Sequence, residues 1–334
     1  MANSDNKKDY QSLEVLLAEL EAVYKKEHKE EDFNKERPIF EKLIPELIKF
    51  LEPLDLIRPF AMGSTATVWE VKDERLKQKR ALKLPRPRFG KIDKIIRVIR
   101  AESNILTELI HQNITKVYLF DEIEISINGE QYSFPFFLMD FLEGVEDIDV
   151  FINKNLNIFN ADRIITYFRD VAVGLGYLHD KGIIHCDIKP GNIIIAIDSP
   201  ALIADLGYAK HFERIRLDNQ EKLTTVTFTP KYAHPNLIER LAKGSDSAAS
   251  ISIIKRRDLE PAFDLFAFGR TIQTVLQIVA EYEQSLATKR LIFTSFQWRY
   301  LALIAVRLLD GQLDNITDNA LDTCIIPGLP NPSL

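Results

Sequence analysis

The stretch from residue 183 to residue 207 constrains the fold more than any other part of the chain. Two short apolar runs, Ile183-Ile184 and Ile193-Ile194-Ile195, flank the loop His185-Cys186-Asp187-Ile188-Lys189-Pro190-Gly191-Asn192. Asp205-Leu206-Gly207 comes next, thirteen residues after Asn192. Short apolar runs bounded by Gly and Pro read as strands. The chain therefore has to build a scaffold around a loop that carries Asp187, Lys189 and Asn192 at fixed spacing.

The surrounding sequence changes character twice. Residues 1–10 are polar and read as frayed. From Ser12, a candidate N-cap, Leu13, Leu16, Leu17, Leu20, Val23 and Tyr24 fall on one helical face. The charged stretch from Lys25 to Arg37 reads as solvated. Phe40, Leu43, Ile44, Leu47, Ile48 and Leu51 mark a second amphipathic segment, in which Pro45 is expected to kink or restart the helix. Residues 1–53 are thus read as a helical extension that either caps or regulates the domain C-terminal to it. Its leucine face is open to self-association, to a regulatory partner, or to burial against that domain.

From Leu54 the period shortens. Thr67–Val71 and Arg80–Leu84 read as strands, a helix is expected from about Lys91 to Ile110, and two long β-rich runs, Lys116–Ile127 and Gln131–Phe141, meet at Asn128-Gly129. Asn-Gly between two such runs is a strong hairpin signal. After Gly144 the pattern is mostly helical: in 161–181, Ile164, Ile165, Phe168, Val171, Leu175 and Leu178 recur at helical spacing. Residues 208–235 show little periodicity and many threonines, and helices resume from about Phe263.

At 334 residues the chain is long enough for one large two-lobed domain or two ordinary ones. It is 46% hydrophobic and 28% charged, the profile of a soluble globular protein. The net charge of -6 argues against a nucleic-acid binder, which would carry a basic face. The two cysteines, Cys186 and Cys324, allow neither a disulfide framework nor a paired-cysteine zinc pattern, and a reducing, cytoplasmic compartment fits them best. The N-terminus lacks the apolar core of a signal peptide, and no window reaches the roughly 18 apolar residues of a membrane span. The ending Gly328–Leu334 reads as a linker, so the natural protein is open to continuing beyond it.

The loop and the Asp-Leu-Gly turn together resemble the catalytic loop and metal motif of the eukaryotic-type Ser/Thr protein kinase family. The resemblance covers residue 54 to about 320. It implies an α+β, two-lobed fold: an N-terminal helical extension (1–53), a small β-rich lobe with the hinge (54–144) and a larger helical lobe (145–334), with ATP and magnesium between the lobes. By the same resemblance, Asp187 accepts the proton of the substrate hydroxyl, Lys189 neutralises the moving phosphoryl group, and Asn192 and Asp205 hold the metal. Lys83 in Ala81-Leu82-Lys83 resembles the strand lysine that reaches the α- and β-phosphates, and Glu102 its partner on the next helix. His111–Ile114 looks like the turn leaving that helix. Met139-Asp140-Phe141-Leu142 resembles the hinge, with Met139 as gatekeeper and the backbones of Asp140 and Leu142 on the adenine. Val68 and Ala81 line the nucleotide, and Gly63 belongs to the phosphate-covering loop. Thr229 in Thr229–Pro235 matches the threonine beside the catalytic Asp and Lys. Asp264 matches the residue that caps the catalytic-loop backbone, which a buried carboxylate requires.

The departures are equally specific. Of the Gly-x-Gly-x-x-Gly pattern only Gly63 remains, with Ala61 and Ala66 at the outer positions; alanine disfavours positive φ and keeps the backbone further from a ligand. Cys186 stands where the family has an arginine that pairs with a phosphorylated activation segment, and reads either as a buried apolar residue or as a redox-sensitive thiol. Leu206, Phe228 and Asn236 replace the usual Phe, Gly and Glu, the last removing an ion pair of the helical lobe. Thr224, Thr225 and Thr227 are candidate autophosphorylation sites or ordinary loop threonines. The resemblance implies protein substrates; the acidic balance and the lack of an apolar span argue against nucleic-acid and membrane partners. A pseudokinase that only binds and switches a partner, and a small-molecule phosphotransferase, are the alternatives.

Overall fold

The computed structural model describes residues 12–73, 75–88, 90–158, 161–196, 199–212, 223–239, 250–255, 259–285 and 294–309. Ser12 caps the first helix as its sequence predicts: its hydroxyl accepts from the Val15 amide, and α1 runs Leu13–Lys26. Helix α2, Glu30–Leu51, passes through both Pro38 and Pro45 as a single helix, so it does not restart at Pro45. Packing outweighs the roughly 3 kcal/mol that an interior proline costs. Phe33, Phe40, Leu43, Ile44, Leu47 and Leu51 are all buried, each contributing on the order of 1.5–3 kcal/mol by leaving water. The charged stretch before Arg37 is also not simply solvated. Phe33 and Glu36 point inward, and Glu36 is 2% exposed.

These helices cover a five-stranded antiparallel sheet: β1 (Asp55–Met62), β2 (Ala66–Asp73), β3 (Gln78–Pro85), β4 (Val117–Ile127) and β5 (Glu130–Asp140), in the order β1-β2-β3-β5-β4. Between β3 and β4 lies α3, Ile92–Leu106, which ends four residues before the expected Ile110. The β4–β5 hairpin turns at Asn128 and Gly129, both with positive φ, as Asn-Gly demands. Side chains alternate across a strand, which divides the sheet cleanly. Trp69, Leu82, Leu84, Phe134, Phe136 and Leu138 join one core with Leu16, Leu20, Phe40 and Leu47 of the two helices. The leucine face of the extension is thus occupied by the sheet. Val68, Ala81, Lys83, Phe137 and Met139 have the opposite parity, and Val68 stands across from Lys83, Ala81 from Met139 and Lys83 from Phe137.

The residues up to Leu109 together with Lys116–Leu142 form one compact unit; Ile110–Thr115 and the residues from Glu143 onward form a second. The segment around Asn113 therefore belongs with the second unit, although it lies among the residues of the first in sequence. Its hydrogen bonds explain this: the Ile203 amide donates to the Asn113 carbonyl and the Thr115 amide to the Ile203 carbonyl.

The second unit holds β6 (Glu146–Asp147), α4 (Ile148–Asn155), α5 (Ala161–Asp180), β7 (Ile183–Ile184), β8 (Ile193–Ile195), β9 (Leu202–Ile203), β10 (Lys210–His211), β11 (Leu223–Phe228), α6 (Pro235–Ile238), β12 (Ser250–Lys255), α7 (Ala262–Ser285) and α8 (Ser295–Leu309). The apolar runs at 183–184 and 193–195 are strands, as expected, but they join different sheets: β7 pairs with β10, and β8 lies between β6 and β9. The aperiodic stretch 208–235 contains the six-residue strand β11, paired in register with β12 from Leu223 opposite Lys255 to Phe228 opposite Ser250. Cys324, the terminal 328–334 stretch and the side chains of Thr224 and Thr225 lie outside what is described.

Candidate active site

In the first unit, the parity that puts Trp69 and Leu82 in the core aims Lys83 at the opposite face. There its ammonium meets Glu102 of α3, with Nζ 2.7 Å from both carboxylate oxygens. Lys83 is 9% exposed and Glu102 1%, so this is a buried ion pair. The Phe137 ring lies 5.8 Å from the same ammonium. Helix α3 is held against the sheet by Arg100, whose fork donates to both oxygens of Glu122 on β4 at 2.6 and 2.7 Å. The Arg100 guanidinium holds the Glu122 carboxyl below its ordinary value, and Ser133 donates to the same carboxylate.

At the end of β5, the Asp140 amide donates to the Lys116 carbonyl at 3.2 Å. Phe141 packs edge-on against Phe60. Met139, Asp140 and Leu142 are each half-buried. The β1–β2 turn contains Gly63, and neither Gly63, Ala61 nor Ala66 has positive φ. The missing glycines therefore cost this loop no conformation it adopts here. A Cβ at Gly63 would approach only the Ala66 carbonyl, at 3.9 Å.

In the second unit, the loop after β7 is organised by Asp264 at the start of α7. This carboxylate is wholly buried and accepts from the His185 and Cys186 amides at 2.8 Å each, with His179 Nε2 at 2.9 Å. Cys186 has a φ of 68°, a left-handed conformation that costs a non-glycine residue about 1–2 kcal/mol. The two amide bonds to Asp264 hold it there. His185 Nδ1 accepts from the Asp187 amide, which leaves Nε2 as the donor to the Ala204 carbonyl at 3.0 Å. His185 thus links the loop to the residue preceding Asp205, a role that sequence reasoning missed. Asp205 is itself left-handed, with φ 59°.

Asp187, 4% exposed, is the centre of this arrangement. Its Oδ1 accepts from the Thr229 amide at 2.9 Å and the Thr229 hydroxyl at 2.7 Å. Its Oδ2 accepts from Lys189 Nζ at 2.6 Å and Asn192 Nδ2 at 3.2 Å. Lys189 Nζ also donates to the Thr229 hydroxyl at 3.0 Å. Asn192 Nδ2 donates to the Asp187 carbonyl as well, at 2.7 Å, so the amide oxygen is turned away from Asp187. The Ala204 amide, next to Asp205, donates to the Asn192 carbonyl at 2.9 Å, and Asn192 and Asp205 both carry hard oxygen donors. Among the described residues no group of three or more His, Cys, Asp or Glu could hold a metal. A pair of hard donors without a third fits an ion such as magnesium, which completes its shell with water and phosphate.

The departures from the expected pattern find apolar substitutes. Cys186 packs with Val226, Phe228, Ala233, Leu237 and Phe263 in one core cluster. Burial, and then the Asp264 carboxylate, push its thiol well up, so it stays protonated. His234 Nδ1 accepts from the Asn236 amide, and its ring packs against Phe263 and Phe266 at 5.4 and 5.2 Å. Burial lowers the His234 pKa.

Comparison with known proteins gives a consistent picture. A family model for the protein kinase domain matches residues 56–292. The serine/threonine-protein kinase AtPK2/AtPK19 of Arabidopsis thaliana is 26% identical over 209 residues, 60% of this chain and 39% of that protein. The human calcium/calmodulin-dependent protein kinase type IV is 27% identical over 243 residues, 69% of this chain and 47% of its own length. The serine/threonine-protein kinase par-4 of Caenorhabditis elegans is 31% identical over 179 residues, 53% of this chain and 27% of that protein. The chain thus spans less than half the length of each of these relatives.

Proposed function

Given that the chain belongs to the protein kinase family, we propose that it is an active Ser/Thr protein kinase, transferring the γ-phosphate of ATP to serine or threonine hydroxyls of protein. The observation that carries this is the bonding of Asp187. Its carboxylate is oriented by Thr229, Lys189 and Asn192. A carboxylate fixed in this way is suited to accept the proton of an attacking hydroxyl, and positioning of that kind supplies much of the rate in phosphoryl transfer. Lys189 is placed to neutralise charge on the transferring group. Lys83, set by Glu102, binds the α- and β-phosphates. Gly63, Val68, Ala81 and Met139 line the nucleotide, and Asp140 and Leu142 offer backbone groups to the adenine. Asn192 and Asp205 would hold magnesium, which supplies charge neutralisation at the phosphates when bound.

The relatives' serine/threonine specificity and the pairing of Lys189 with Thr229 support the choice of acceptor. Protein substrates, autophosphorylation and a signalling role belong to the same reading. A cytoplasmic location is supported by the cysteine usage; among the described residues no helix is long and apolar enough to cross a membrane. Because Cys186 packs with Val226, Phe228, Ala233 and Leu237 through apolar contacts, activity is expected not to depend strictly on phosphorylation of this segment. Replacing Thr224, Thr225 and Thr227 together with alanine should change kcat by less than about threefold; a drop of a hundredfold would show that phosphorylation does the ordering.

The decisive experiment is transfer of radiolabelled phosphate from ATP with magnesium, comparing the native chain with Asp187→Asn and Asp205→Ala and mapping the label by mass spectrometry. Label on serine or threonine that falls at least about a hundredfold in both variants is expected. ATP binding by the native chain without transfer would favour a pseudokinase, a reading that the single remaining loop glycine supports. Label on a small metabolite alone would favour a small-molecule phosphotransferase.

A further inference from the structure

Arg86 lies just past β3, carries no recognisable motif, and is 1% exposed. An arginine is tolerated at such depth only if its donors are satisfied and its charge is matched. Both conditions are met from the helical extension. Nη2 donates to Glu36 Oε1 at 2.8 Å and to Asp32 Oδ2 at 3.1 Å; Nε donates to Glu36 Oε2 and the Tyr24 hydroxyl at 3.1 Å each. Tyr24 in turn donates to Glu36. Burial, and then the Glu36 carboxylate, push the Tyr24 phenol up, so it remains a donor. The guanidinium also sits 4.8 Å over the Tyr24 ring.

The remaining guanidinium nitrogen turns the other way. Nη1 donates to the Gly63 carbonyl at 3.2 Å, and the Arg86 backbone amide donates to the Thr65 carbonyl at 2.8 Å. One residue therefore holds two carbonyls of the β1–β2 turn, which is closed from within by the Gly63 amide donating to Ala66. The Nη1 bond satisfies a donor that burial would otherwise strand, and it ties the guanidinium to the turn as well as to the extension.

We propose that Arg86, oriented by Glu36, Asp32 and Tyr24 of the helical extension, is a positioning residue for the nucleotide: it fixes the carbonyls of Gly63 and Thr65 and so presets the loop that covers the phosphates. This rests on reading the β1–β2 turn as that loop. A loop with one glycine instead of three reaches fewer conformations, and its shape here is set by a side chain outside it. The extension then acts on nucleotide affinity through a single guanidinium. Only arginine serves, because a planar fork can grip Glu36 and still reach a carbonyl on the far side, whereas an ammonium is a point charge.

The test replaces the buried polar group by apolar ones of similar size, a change that is often neutral for stability. In the full chain, Tyr24→Phe/Glu36→Met/Arg86→Met is compared with the native protein and with Arg86→Lys. Three quantities are read: thermal stability, amide hydrogen exchange across residues 61–68 without nucleotide, and the Kd and KM for MgATP. The expected result is a folded triple variant with exchange in the loop at least about tenfold faster and KM for ATP up about tenfold, while kcat falls less than about threefold. Arg86→Lys should lie in between. A folded triple variant with native exchange and native MgATP affinity overturns the proposal and leaves Arg86 as a core ion pair. Should the triple variant fail to fold, Arg86→Lys decides by the same two readouts. Failure of the native chain itself to bind MgATP overturns the reading of the loop, and with it the proposal; it is told apart because the native protein, not a variant, is at fault.

Discussion

Thr229 uses one hydroxyl twice, donating to Asp187 and accepting from Lys189. That places it at the hinge of the proposed chemistry without making it a reactant. Thr229→Val keeps the shape and removes both bonds, so kcat should fall about ten- to a hundredfold with little change in the KM for ATP, and Thr229→Ser should recover most of the loss; steady-state kinetics of the three proteins would show it. At this scale the sequence was informative because the chemistry needs particular atoms at particular spacings. Asp187, Lys189, Asn192, Lys83 and Glu102 could all be named from it, and they form two hydrogen-bonded clusters, one around Asp187 and one between Lys83 and Glu102. Arg86 and Glu36 could not. They sit 50 residues apart, each looks like an ordinary surface charge, and only the fold brings the two together.

Among the elements, legibility followed the range of the forces. Helices α1 and α5 and the β4–β5 hairpin were readable because period, cap and turn residues act locally. Strand β11 was not, since its partner β12 lies more than twenty residues onward and the pairing, not the local composition, makes it a strand. That the helix does not restart at Pro45 has the converse reason: a buried helical face outvoted a local penalty. Helix α5 carries a sharper constraint. A Cβ on Gly174 would lie 2.9 Å from the Ile203 side chain and 3.1 Å from the Asn113 carbonyl. Helix propensity alone would make Gly174→Ala stabilising by about 0.5–1 kcal/mol. Overpacking against a strand and a backbone carbonyl should instead make it destabilising by about 1–3 kcal/mol. Denaturant unfolding of the variant would give the sign directly.

At the level of the whole molecule, Lys83 and Glu102 belong to one unit and Asp187, Asn192 and Asp205 to the other. A ligand that binds the folded chain and not the unfolded one stabilises it by RT ln(1 + [L]/Kd), about 2.7 kcal/mol at a hundred times Kd. MgATP should raise the melting temperature accordingly, ATP with chelator should raise it less, and Asp205→Ala should abolish the difference between the two; differential scanning calorimetry would follow all three.

The anchoring of Arg86 also bears on how the chain is handled. The kinase-domain match begins at residue 56, at the first strand. A gene trimmed there would still encode every side chain assigned to catalysis. It would lack Tyr24, Asp32 and Glu36, so the guanidinium would lose the ring and the counter-charges that orient it. It would also lay bare Trp69, Leu82, Phe134, Phe136 and Leu138 as one contiguous apolar surface. A fragment of that kind would aggregate on expression, and its silence in an assay would say nothing about whether the intact chain is an enzyme.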